Sequence, residues 1–243
     1  MIENLLSNFF FLGKCALYIV GLCFIVNSIL TVTNSKYQKL TYNKQLYVTK
    51  NISKSIVLSL VCIRLFWIGY DIYINIPLDN TIVKNTASIY VANDIVALLI
   101  VPKLPLTTKR HHMTTTLLLF INYFINYEHL EFVSAKIGIL LIGYTAFSAF
   151  AFMVNLFLGL RFITDNLNLI NKVRIIALYN YKICLLLNWI SQAGFIINSM
   201  IHDSSTVIPF IIYSLLLIPI INDDLVLVSW LNIPKKVTKS LNH

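Results

Sequence analysis

Apolar residues run along this chain in long blocks separated by short polar segments. Seven blocks stand out, at 5–30, 52–76, 82–101, 111–127, 132–160, 173–201 and 207–231. A helix of about 20 residues, rising 1.5 Å each, crosses the roughly 30 Å hydrocarbon core of a bilayer. The pattern therefore predicts an all-α polytopic transmembrane bundle of about seven helices. The fifth and sixth blocks exceed one crossing, so each either tilts or lies partly along the interface. The first block begins Met1-Ile2-Glu3-Asn4, without the basic leader of a signal peptide, and reads as a retained helix. No internal repeat or low-complexity segment interrupts the chain.

Composition sharpens this picture. Of 243 residues, 58% are hydrophobic and 12% charged, with a mean hydropathy of +0.76. Soluble domains carry about a quarter charged residues, so a soluble enzyme, a disordered tail and a disulfide-stapled secreted domain are excluded. Cys15, Cys23, Cys62 and Cys184 all lie in apolar runs and are expected as packed thiols.

The formal charge of +9 is unevenly placed. Loop one carries Lys36, Lys39, Lys44 and Lys50, with Lys54 at its edge. Loop three carries Lys103, Lys109 and Arg110; loop five Arg161, Lys172 and Arg174; the tail Lys235, Lys236 and Lys239. The intervening loops have no such excess, and His202-Asp203-Ser204-Ser205 has neither Lys nor Arg. Basic loops stay cytoplasmic. The N-terminus is thus expected outside and the C-terminus in the cytosol, with the charges meeting anionic headgroups rather than nucleic acid. The sequon Asn51-Ile52-Ser53 then faces the cytosol and should be unglycosylated.

Several ionisable residues fall inside the blocks: Arg64, Asp71, Asp94, Lys182, Asp223 and Asp224. Each disfavours insertion by about 2.5–3.5 kcal/mol at a helix centre, so such residues face a bundle interior and find partners there. They suit either a structural ion-pair network or the wall of a polar cavity, except Asp71, which lies nearer the outer end of its helix and reads as a solvated helix terminus. Arg64, about 15 Å beyond a helix start at Lys54, needs an anion at its own depth, and Asp94 on the next helix is the expected partner. His111-His112 opens the fourth block. Adjacent residues point about 100° apart on a helix, so this pair is not expected to share a metal as an i, i+4 pair can. The stripe His111, Thr114, Thr115, Leu118, Asn122 makes a partly polar inner face.

The run Ile89-Tyr90-Val91-Ala92-Asn93-Asp94, then Pro102-Lys103, then His111-His112 resembles the core signature of the TLC-domain family. Asn51-Ile52-Ser53 looks like that family's domain start, and the stretch Asn155 to Arg161 is similar to its Asn/Arg segment. The division this implies is a first helix and basic loop at 1–45, a TLC-like six-helix domain at 46–236 and a cytosolic tail at 237–243. The resemblance also implies a lipid-facing cavity and residence in the endoplasmic reticulum. Its ceramide synthases follow HH with a His-Asp set. Here the nearest segment is Tyr127-Glu128-His129-Leu130-Glu131, and Tyr144-Thr145-Ala146-Phe147-Ser148 stands where other members carry an acid and a Pro.

Three functions are compatible with these residues. The first is a protein that binds, senses or regulates membrane lipids. Asp94, His111 and His112 would line its cavity, with Arg64, Tyr90, Asn122, Lys182, Asp223 and Asp224 as lipid-binding residues, and with no metal or cofactor. The second is an N-acyltransferase using acyl-CoA as substrate, with His111 or His112 as base or acyl carrier and Asp94 orienting the imidazole. The third is a transporter or receptor. A retinal protein would need a Lys in the last helix, and 207–231 has none.

Overall fold

The computed structural model describes residues 2–74, 76, 78–129 and 131–233. The tail lysines 235, 236 and 239, and the domain boundary at 236, lie outside them. The described residues form helices joined by short turns, without strands: α1 (Ile2–Thr33), α2 (Ser35–Gln38), α3 (Tyr42–Tyr73), α4 (Asn80–Ile100), α5 (Leu106–Tyr123), α6 (Val133–Ala149), α7 (Phe152–Leu160), α8 (Leu167–His202) and α9 (Val207–Asn232). Short polar side chains start several of them. Asp79 accepts from the backbone N–H of Thr81 and Ile82, and Asn166 from that of Leu169. Both satisfy donors that a helix leaves open.

Among the described residues, six segments are long and apolar enough to cross a membrane: Glu3–Thr33, Tyr42–Ile72, Asn80–Ile100, Val133–Leu160, Leu167–His202 and Ser204–Asn232. α5 is the exception. Its 18 residues include Lys109, Arg110, two His and five Thr, and it is shielded by neighbours instead of by its own hydropathy. It runs antiparallel to α4 over its whole length. Asn80, which opens α4, binds Asn126 and the Tyr127 N–H just after α5, while His112 and Thr115 near the start of α5 meet Asp94 near the end of α4.

Cross-links sort the turns into two faces. On the first, the Asn34 amide donates to the Ile163 carbonyl, Lys36 pairs with Asp165, and Arg174 donates to the Leu231 carbonyl. On the second, Asn80 binds Glu128, Lys136 pairs with Asp203 at 2.9 Å, and Phe9 of α1 stacks edge-on against Tyr123. The N-terminal end of α1 and the last described turn of α9 therefore lie on opposite faces.

The two long blocks resolve differently. The fifth breaks at Phe150–Ala151, where a tightened Ala151 N–H to Ser148 bond separates α6 from α7 and the Asn180 amide takes up the Phe150 carbonyl. The sixth is a single 36-residue helix, about 54 Å long. α3 begins at Tyr42, not near residue 52. Lys44, Lys50 and Lys54, expected in or beside a loop, thus belong to its first four turns. The four cysteines are free, with Cys15, Cys23 and Cys184 buried.

Candidate functional site

α4, α5 and α9 carry the chemistry because α5 is sandwiched between the other two. Its two adjacent imidazoles point to different sides and are both buried. His112 Nδ1 lies 3.1 Å from an Asp94 carboxylate oxygen on α4, and His111 Nδ1 lies 3.4 Å from Asp223 on α9. Neither pair is aligned as a hydrogen bond. The rings stand nearly perpendicular, with centroids 5.4 Å apart. Neighbouring helix positions point about 100° apart, and a helix walled on two sides offers an inner face to each histidine.

Asp94 is fully buried and saturated. Lys54 Nζ donates to Oδ1 at 2.7 Å, and the Thr115 hydroxyl donates to Oδ2 at 2.8 Å. Asp223 accepts from Thr108 at 2.9 Å. Asp224 accepts from the hydroxyls of Tyr144 and Tyr181, each at 2.6 Å. Bringing carboxylates into such a layer is tolerable only because every one meets donors there.

Arg64 does not partner Asp94. It is exposed on the outer face of α3 and pairs with no acid among the described residues. The reason is the helix start. Counted from Tyr42, Arg64 lies about 33 Å along α3 and only about 14 Å from its far end, so Lys54 meets Asp94 instead. Lys182 also falls outside the site: it is exposed and donates to Asn232 at 3.2 Å. Tyr90 is buried at the centre. Asn122 is buried at the other end of α5, where it accepts from the Tyr127 hydroxyl.

Two chambers adjoin this layer. A polar one encloses about 870 Å³, its mouth included, and reaches the 101–105 turn on the first face; Lys50, Lys54, both histidines, Asp223 and Asp224 line it. An apolar one of about 630 Å³ is lined by Leu65, Val91, Leu118, Leu141 and Ile220 among others, with Thr115 and Asn122 as polar points. Tyr90 borders both.

Nitrogen and oxygen donors of Asp94, His111 and His112 come within 4.8 Å of one another. That spacing admits a shared ion, contrary to the expectation for adjacent histidines. The place of a cation beside Asp94 is taken, however, by the Lys54 ammonium.

Sequence reasoning missed Lys50, Lys54, Thr108, Tyr144 and Tyr181. A signal for the first two was present: Tyr47, Lys50, Asn51, Lys54 and Leu58 recur at helical spacing and all line the polar chamber. No protein family, curated protein or solved structure matches the chain.

Proposed function

We propose that this chain is a multi-pass membrane protein that binds an amphipathic lipid and thereby senses or regulates membrane lipids, as its TLC-like signature implies. The observation that carries this reading is the meeting of a polar and an apolar chamber at Tyr90. A lipid's chain and headgroup need those two environments side by side. Seven membrane crossings, with the first face cytosolic and the N-terminus outside, fit both the two-face arrangement of turns and the basic loops. Residence in the endoplasmic reticulum rests on the family resemblance. The test is to purify the protein in a mild detergent and identify the lipids that copurify. One lipid class should be enriched over the membrane average, and Leu118→Trp, which fills the apolar chamber, should abolish the enrichment. Copurified lipid that mirrors the bulk membrane in both proteins would defeat the reading.

A second reading, an N-acyltransferase, is favoured by the Asp94–His112 pair. A carboxylate 3.1 Å from Nδ1 stabilises the imidazolium that forms when the ring takes a proton from an amine. Lipidomics on cells expressing wild type or His111→Ala/His112→Ala separates the two. Loss of an acylated amine product supports the enzyme; an unchanged profile with retained binding supports the sensor.

A further inference from the structure

Each buried carboxylate of the polar chamber has its partners within the protein, but the ammonium groups are not matched in the same way. Lys54 is held by Asp94 at 2.7 Å. Lys50, one turn earlier on the same face of α3, is 3% exposed and lines the same chamber. Among the described residues it joins no ion pair, and its hydrogen bond goes to the neutral side-chain oxygen of Asn93 at 3.3 Å. An ammonium has three donors and no acceptor. Taken out of water, it is stable only against an anion or several good acceptors. Asn93 supplies one long contact, and Lys54 next to it adds repulsion. Nearby, Nδ1 of both histidines lacks a hydrogen bond.

We infer that Lys50 recognises a phosphoryl group on the bound ligand. Such a group has enough acceptor oxygens for the three ammonium donors and carries the charge Lys50 lacks. It would sit in the polar chamber, with the rest of an amphiphile passing Tyr90 into the apolar one. This ligand class rests on the lipid-binding reading above. The phosphoryl group has two sources: the headgroup of a membrane lipid, or a soluble phosphate carrier entering at the 101–105 turn.

Competition against a fluorescent lipid in nanodiscs tests the assignment. In wild type, dioleoyl phosphatidic acid should displace the probe about tenfold better than dioleoylglycerol, the worth of one charged hydrogen bond. Lys50→Met should bring that ratio near one without weakening dioleoylglycerol, whereas Lys50→Arg and the exposed-site control Lys39→Met should keep it. Lys50→Met should also melt higher than wild type without ligand, because an unpaired buried charge is gone; this verifies that the variant is folded. Coenzyme A as competitor distinguishes the sources. Lys50-dependent displacement by coenzyme A alone marks a soluble carrier, and by phosphatidic acid alone a headgroup; either supports the assignment. Equal affinity of wild type for the charged and neutral lipids, with no effect of coenzyme A, would overturn it and leave lipid binding standing. So would a preference that survives in Lys50→Met. If no lipid binds wild type, the lipid reading fails; direct titration with coenzyme A then decides, with Lys50-dependent binding supporting the assignment and none overturning it.

Discussion

Asp94 is the residue on which most of the polar layer depends. Replacing it with Asn strands the Lys54 ammonium and takes the carboxylate from His112. Removing one partner of a buried pair destabilises by about 3–5 kcal/mol, and Asp94→Asn should lower the unfolding free energy in detergent by that order. Lys54→Met combined with Asp94→Asn should be less harmful than the sum of the single changes; additive losses would sink the pair. Arg64 makes the opposite case. It faces outward, away from the buried polar layer. Arg64→Leu should leave the melting temperature nearly unchanged, and a large drop would mean an inward partner. Asp94 and the two histidines were legible in the sequence because a charge or an imidazole within an apolar block is expensive and must be explained. Lys50 and Lys54 were legible only through their helical spacing with Tyr47, Asn51 and Leu58. A lysine next to a polar segment reads as a loop residue, and only the true helix start turns it inward. Tyr144 and Tyr181 were hidden because a tyrosine in an apolar helix is ordinary until a carboxylate is known to face it.

At the scale of elements, the all-helical class was readable from the apolar blocks, and the ends of the helices were not. Hydropathy is blind to the polar turns 42–51 that open α3, and equally to the break at Phe150–Ala151, since Phe and Ala suit a continuous helix. Close approach is also set locally. A Cβ on Gly138 would stand 2.5–2.8 Å from the ring and hydroxyl of Tyr127, whose backbone is tied to Asn80 and whose hydroxyl is tied to Asn122. That ring has no room to retreat. Gly138→Ala should destabilise by about 1–3 kcal/mol, and a prior Tyr127→Leu change should relieve most of it; an equal loss in both backgrounds would refute the steric account. The start of α6 is fastened to the α8–α9 turn by Lys136 and Asp203. Hydrogen bonds from Lys136 and Ser205 hold the Asp203 carboxyl down at about 2. Because the folded value is the lower one, the stabilisation is present above the ordinary carboxylate range near 4 and is lost as pH falls towards 2. Wild type and Lys136→Met should therefore differ in melting temperature at pH 6 and converge by about pH 2. A gap that persists in acid would show that the pair is not its source.

Across the whole molecule, large apolar side chains such as Leu17, Phe24, Leu60, Phe66, Ile190 and Ile208 cover the outside, while Lys50, Asp94, Asp223 and Asp224 are buried at the centre. This inversion of a soluble protein is what the composition foretold. A cysteine placed at Lys39 and one placed at Ser204 should be labelled from opposite sides of a sealed vesicle; labelling from one side would break the two-face arrangement. The site joins segments far apart in sequence, and its last contributors are Asp223 and Asp224. Alone, α9 bears about 5–7 kcal/mol of insertion penalty from these two residues. Their partners, Thr108, His111, Tyr144 and Tyr181, all emerge earlier from the ribosome. The order of synthesis thus matters: α5, α6 and α8 are made before the two carboxylates they bind, and only the arrival of α9 completes the polar layer.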